Sequence, residues 1–274
     1  MKGRFILYFS LAFISILFIS ILFTSCEFNK LLKSADYEFK YTKAIDYYNK
    51  TNYTSAQTLF EELIPVFKGT DRAEEIYYYY SYCHYYLTDY ALAGFHFRTF
   101  VRSFHNSKHV EECAFMNAYC YYLSSPRYSL DQSDTKNAIQ EMQNFLNEYP
   151  ESQRIDSCNI LVDKLRAKLE RKSYEIAKGY FYREYYQAST PACENFMKDF
   201  PESLHNDEMI FMIIKSYYLL AKNSVESKKP ERIEKAIVSY LKFVDLHPNS
   251  QFLAQAEVIY KDCERMKKEL IKQK

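Results

Sequence analysis

Few residues of this chain are placed to do covalent chemistry. His105 and His109 stand four apart, as two metal ligands on one helical face would, but they straddle a predicted helix start and no carboxylate stands at a diagnostic spacing. The four glycines are Gly3, Gly69, Gly94 and Gly179, so GxGxxG, the P-loop and GxSxG cannot be assembled, and no HExxH occurs. Glu74-Glu75 and Glu111-Glu112 open predicted helices, where carboxylates answer the positive end of the helix dipole. Cys83, Cys113, Cys120, Cys158, Cys193 and Cys263 include no CxxC. Cys113 and Cys120 are about 10 Å apart along one predicted helix, too far to bridge. These six thiols read as small core residues, with their pairing left open. No catalytic residue, metal or cofactor is expected, and the chain is read as a non-enzyme. What it has in excess is tyrosine: 28 Tyr and 21 Phe, with no Trp. Tyrosine offers a flat apolar face and a polar tip at low rotamer cost, which suits recognition rather than reaction.

The elements that must position these rings are legible as a repeat. Ala56, Ala93, Ala138, Ser189 and Ala236 head five similar segments. Four residues on come Phe60, Phe97, Met142, Cys193 and Tyr240; seven on come Leu63, Phe100, Phe145, Phe196 and Phe243. Eleven on come Phe67, Phe104, Tyr149, Phe200 and His247. This 0, 4, 7, 11 series is one apolar stripe of a helix, and its small first residue lets a neighbouring helix approach. Pro150, Pro201 and Pro248 then stop the helix, and Thr70, Ser107, Ser152, Ser203 and Ser250 are expected to N-cap the next one. Ala44, Ser81, Ala118, Ala177 and Ser216 are the matching small positions of the first helices. Phe252, Ala256, Ile259, Cys263, Met266 and Leu270 outline a terminal capping helix.

Lys+Arg 36 against Asp+Glu 35 gives a net charge of +1, so no field points at nucleic acid. So few glycines argue against an all-β fold and most nucleotide-binding α/β folds. The predicted fold class is all-α, an α-solenoid of about five helix pairs with a C-terminal cap. Residues 5–23 carry no charge and follow Lys2 and Arg4, which fits either a cleaved leader or an uncleaved membrane anchor. The cysteine at 26 decides between them. Leu22-Phe23-Thr24-Ser25-Cys26 resembles a bacterial lipobox, departing from it only in the bulk of Phe23. That resemblance implies cleavage before Cys26 and covalent lipid on its thiol, with a firm hold on a membrane. Glu27 is not the aspartate of inner-membrane retention, so the periplasmic face of the outer membrane is the expected location. Losing Lys2 and Arg4 with the leader takes the net charge to −1.

The helix pairs resemble tetratricopeptide (TPR) repeats, although the anchor spacings of 37, 45, 51 and 47 exceed that family's 34. A lipidated cysteine, a short tether and five such units resemble the BamD-type lipoproteins of the β-barrel assembly machinery. Tyr149-Pro150-Glu151-Ser152, Phe200-Pro201-Glu202-Ser203 and the insertion at residues 125–132 carry the same likeness. The expected organisation is a signal peptide at 1–25, lipidated cysteine and tether at 26–35, and a TPR-like solenoid at 36–274. Its units fall near 36–69, 70–106, 107–151, 152–202 and 203–249, with the capping helix at 250–272. The resemblance implies three sets of partners: a BamA-like barrel-forming protein with its accessory subunits, unfolded outer-membrane protein clients, and the membrane itself through the anchor. A glycan-capturing surface lipoprotein and a generic cell-envelope TPR adaptor are the alternatives; the absence of Trp weighs against the first.

Eight tyrosines lie from Tyr77 to Tyr90, and Tyr77 to Tyr80 are consecutive, so they cannot all face a core. With Ser81 as the packing position, Tyr78, Tyr82, Tyr85 and Tyr86 are expected to line a peptide-binding groove. Tyr41 and Tyr48 join them from the first unit, and Tyr119 and Tyr122, beside Phe115, from the third. The competing reading packs these rings between repeats. Two linkers, residues 124–133 and 223–230, each gain eight residues over the other units and are candidate partner contacts, or else solvated loops.

Overall fold

The computed structural model describes residues 28–272, so the leader and Cys26 lie outside the described residues. After a helical turn at 28–32 come α1 (Tyr37–Asn49), α2 (Tyr53–Val66), α3 (Arg72–Tyr86), α4 (Tyr90–Ser103), α5 (Val110–Ser124) and α6 (Ser133–Glu148). The 28-residue α7 (Ile155–Tyr182) follows, then α8 (Tyr186–Asp199), α9 (Asn206–Lys222), α10 (Lys229–Leu246) and α11 (Leu253–Lys272). Among the described residues there is no strand. The fold is all-α, built from antiparallel TPR-like helix pairs.

Two compact units divide the chain. The first runs to Asn159 without residues 126–133; the second comprises those eight residues and the chain from Ile160. Within each, helices pack mainly on their neighbours in sequence, so each pair buries its apolar stripe against the next.

The stripe forms the core. Ala56, Ala93, Ala138, Ser189 and Ala236 are at most 1% exposed, and the small first-helix residues Ala44, Ser81, Ala118, Ala177 and Ser216 are fully buried. Phe60, Phe97, Phe100, Phe196 and Phe243 fill the space that these small residues open. Beside Ala93, Gly94 brings α4 so close to α5 that a Cβ there would stand 3.3 Å from that of Cys120. The six described cysteines are all free and buried. Burial lifts Cys83 and Cys120 to about 12 and Cys193 and Cys263 to about 11, so these thiols stay protonated and unreactive.

Turns inside a pair are tight. Asn52 and Asp89 cap α2 and α4 by accepting the N–H of Ser55 and Leu92. Just before those caps Thr51 and Thr88 adopt φ of 61° and 63°, and Glu184 adopts 64° ahead of α8, a left-handed conformation with no glycine to ease it. Beyond α6, α8 and α10 the prolines stand two residues past the last helical residue, where they block continuation.

The threonine and serines expected to N-cap the next helices stand ahead of that position, which Asp71, His109 and His205 hold in α3, α5 and α9; the serine hydroxyls tie the joint instead. Ser107, Ser152, Ser203 and Ser250 each accept the backbone N–H of the residue two further on, at 3.0–3.2 Å. Each hydroxyl also donates to a carboxylate of the preceding first helix: Glu74, Glu111, Glu170 and Asp207, at 2.5–2.7 Å. The side chain of that second residue lies over an aromatic ring on the same preceding helix. His109 covers Tyr78 at 4.4 Å, Arg154 covers Phe115 at 4.5 Å, His205 covers Tyr174 at 4.3 Å, and Phe252 covers Phe211 at 5.0 Å. At the first joint Thr70 replaces serine, its hydroxyl turning to Phe67 O, and Arg72 covers Tyr41 at 4.6 Å.

Stripe and surface respond differently to truncation. Phe97→Ala, at a fully buried site, is expected to cost about 3–5 kcal/mol. Phe95→Ala, two residues away and 58% exposed, is expected to cost no more than about 0.5 kcal/mol. Urea unfolding of both variants checks the contrast.

Candidate functional site

Helix α3 carries tyrosine on every side because every side has a neighbour. Tyr80 and His84 are buried towards α4, where both rings meet His96 at 4.8 Å. Tyr79 turns to α1 and α2, packing on Tyr48 at 4.8 Å and stacking on Phe60 at 5.9 Å. Tyr77 joins Tyr80 and His84, its ring 5.7 Å from His96, while Tyr78, Tyr85 and Tyr86 reach towards the first helices on either side.

The eight sequence-predicted tyrosines fall into three groups. Tyr41 and Tyr78 lie beneath Arg72 and His109 at the joints, and the Tyr41 hydroxyl donates to Glu75 at 2.5 Å. Tyr82 is only 8% exposed, its ring edge-on to Phe97 at 4.9 Å and its hydroxyl donating to Glu112 at 2.5 Å. Tyr48, Tyr86, Tyr85, Tyr119 and Tyr122 form one continuous row, with successive ring centroids 6.1, 5.3, 6.5 and 5.8 Å apart. The row crosses α1, α3 and α5; Tyr86 is 45% exposed and the others are half-buried.

Two contributors were not read from the sequence as groove residues. Tyr53, at the start of α2, stacks on Tyr86 at 4.5 Å and 14° and meets Tyr48 edge-on at 5.5 Å. The residues sixteen after each stripe head, Arg72, His109, Arg154, His205 and Phe252, are the joint-covering side chains. They recur at a constant offset that the same alignment would have revealed had it been extended by two positions.

Burial keeps Tyr41, Tyr48, Tyr78 and Tyr82 neutral. Burial, reinforced by Glu75 at Tyr41 and by Glu112 at Tyr82, pushes these hydroxyls well above the usual phenol range; burial does the same at Tyr48 and Tyr78. They remain donors, never phenolate nucleophiles, at any physiological pH. The same Tyr-to-carboxylate bond recurs in the second unit, from Tyr174 to Glu208 and from Tyr218 to Asp262, both at 2.7 Å. Among the described residues no three or more His, Cys, Asp or Glu converge as a metal site.

Both long linkers are held by side-chain hydrogen bonds to backbone carbonyls. Gln132 Nε2 donates to the carbonyls of Arg127, Leu130 and Asp131, Lys172 reaches Leu130 O, and Arg171 lies 4.3 Å over Tyr128. The second linker forms a 3-10 turn at Glu226–Lys228, and Arg232 bonds to Leu220 O and the Ser224 hydroxyl.

The sequence model of the YfiO family, described as outer membrane lipoprotein, matches residues 34–232. The chain belongs to this family. Family membership makes it an outer-membrane lipoprotein with a lipid anchor and a non-catalytic role. No curated protein sequence matches it. Among solved structures it is similar to the TPR2AB domain of yeast Sti1 in its pHSP90 complex, at 14% identity over 85% of this chain and 84% of that one, TM-score 0.38. The TPR domain of P58(IPK) is similar at 15% identity over 89% and 68%, TM-score 0.40. A tetratricopeptide repeat protein from Parabacteroides merdae is similar at 13% identity over 83% and 100%, TM-score 0.36.

The stacked histidines of α3 and α4 are expected to make the first unit acid-sensitive. His84 and His96 stack at 4.8 Å; Gln57 bonds to His84, and Tyr77 OH lies 2.9 Å from His96 Nδ1. Burial lowers the His84 pKa, partly offset by Asp89 and Glu61; burial and then His84 lower His96 to about 4. Both folded values lie below the unfolded 6.5, so the stability these neutral rings supply is full above pH 6.5 and is lost as pH falls towards 4. Thermal unfolding between pH 7.5 and 4 should show this decline, and His96→Phe should flatten it.

Proposed function

We propose that this chain is a lipid-anchored scaffold of the β-barrel assembly machinery, fixed to the outer membrane through Cys26. It binds a barrel-forming partner and, along the tyrosine row of its first unit, extended segments of unfolded outer-membrane proteins. The observation that carries the client-binding reading is the row itself. Its ring spacings of 5.3–6.5 Å are close to the ~6.6–6.8 Å between alternate side chains of an extended strand. Aromatic or branched residues at every second position of a client would therefore meet successive rings.

In this reading Tyr48, Tyr85, Tyr86, Tyr119 and Tyr122 make contact, while Tyr41, Tyr78 and Tyr82 hold the backbone beneath them. The organisation into a signal peptide at 1–25, a lipidated start at 26 and five helix pairs with a cap belongs to the same proposal. So does a role for residues 124–133 and 223–230 as contacts with the barrel-forming partner, which the defined shape given to them by Gln132 and Arg232 supports.

Tyr85→Ala with Tyr119→Ala is expected to weaken binding of an extended, aromatic-rich peptide from a barrel protein at least about tenfold. The unfolding midpoint should stay near that of the parent chain. Fluorescence anisotropy with the labelled peptide measures the first, and unchanged affinity in the folded variant rejects the row as the client site. Mild-detergent purification of the native chain should bring down a barrel-forming membrane protein. Recovery of a polysaccharide transporter instead would favour the glycan-capturing reading.

A further inference from the structure

The first described residues lie close in sequence to the cysteine proposed to carry the anchor. Phe28 is two residues beyond Cys26, and two residues span at most about 7 Å. From Phe28 onward the leading turn is part of the first unit's core. Leu31 is 7% exposed within the cluster of Ala44, Leu59, Phe60 and Leu63, and the Phe28 ring meets Tyr47 edge-on at 5.7 Å. Lys40, 3% exposed, drives its ammonium between Leu32 O and Glu62, each at 2.6 Å. A buried cation satisfied by those two groups pins the turn to α1 and α2.

Between them, this pinned turn and the first turn of α1 carry exposed rings and lysines. Tyr37 and Phe39, at the start of α1, are 42% and 47% exposed. Lys30 and Lys33 are exposed on the turn, and Lys43 lies 5.6 Å over the Phe39 ring. Of the neighbouring carboxylates, Glu38 is paired with Arg72 and Asp36 is taken up in capping Phe39 N–H. Aromatic rings flanked by lysines are the composition that settles at a lipid headgroup layer.

We propose that this end of the first unit rests directly on the bilayer that holds its own lipid, with Tyr37 and Phe39 at headgroup level and Lys30, Lys33 and Lys43 against anionic headgroups. The inference rests on lipidation of Cys26. It makes the first residues a rigid mount rather than the loose tether that residues 26–35 suggest in sequence. The C-terminal end of α1, where Tyr48 begins the tyrosine row, lies about 17 Å along the helix from Tyr37.

The absence of tryptophan provides a clean test. Full-length lipidated chain carrying Phe39→Trp is reconstituted in phosphatidylcholine–phosphatidylglycerol vesicles containing brominated lipid. Tyr122→Trp, in the same lipidated chain, is the reference. The indole introduced at 39 should emit further to the blue and be quenched by bromolipid, while that at 122 should not. Equal, water-like emission at both sites overturns the proposal. Inserting about ten Gly/Ser residues between Glu27 and Phe28, a coil spanning roughly 18 Å, should abolish most of the quenching at 39. Quenching that survives the insertion overturns the rigid mount. Mass spectrometry of the mature chain tests lipidation of Cys26 separately, and Cys26→Ser should release the chain from vesicles.

Discussion

A stacked helix pair needs a second force besides apolar burial, because a smooth stripe of phenyl rings would let one pair slide on the next. Here the sliding is stopped by one repeated junction. A serine hydroxyl holds the N–H two residues ahead and the carboxylate of the preceding first helix together. The residue that supplies the N–H lays its own side chain on an aromatic ring of that same helix. Backbone, hydroxyl, carboxylate and ring are thereby fixed at once, and every term is local to the joint. The carboxylates that open α3 and α5 owe their positions to this bond as much as to the helix dipole. Where threonine stands in the first joint, the hydroxyl turns to its own helix end, and an Arg72–Glu38 pair and the Arg72–Tyr41 stack take over.

The junction also sorts the tyrosines. A ring beneath His109 or Arg72 is used up by the fold, and so is Tyr82, wedged on Phe97 with its hydroxyl committed to Glu112. Rings further along the first helices, beyond the reach of the joint, remain half-open and meet one another across α1, α3 and α5. The surface that could recognise a client is thus what is left after the repeats have locked. Structure and the proposed recognition draw on the same residue type within a single helix, which accounts for the seven tyrosines among the fifteen residues of α3.

Attachment at the membrane follows the same economy. Instead of a long flexible leader, the residues after the anchor enter the core through Leu31 and are clamped by a buried lysine. With lipid on Cys26, as proposed, a chain built this way would present its first unit at a defined place beside the bilayer. A partner or client would meet the tyrosine row there without the entropy cost of searching from a slack tether.

Much of this was legible in the primary structure. Small residues and phenylalanines at offsets 0, 4 and 7 are dictated by helical geometry, and they are the residues found buried. Helix-stopping prolines, the non-catalytic inventory and the lipobox-like cysteine are likewise properties of residue type and order. What the sequence could not rank was one tyrosine against another. Tyr78, Tyr82 and Tyr85 look alike on a helical wheel; their separation into a covered ring, a buried ring and an open one depends on His109, Phe97 and Glu112, which come from other helices. The buried role of Lys40 was equally invisible, because a lysine's burial is decided by whether a distant carbonyl and carboxylate converge on its ammonium. Local periodicity determines which face a helix hides, whereas the fate of each polar or aromatic group on that face is set by partners brought together only by tertiary packing.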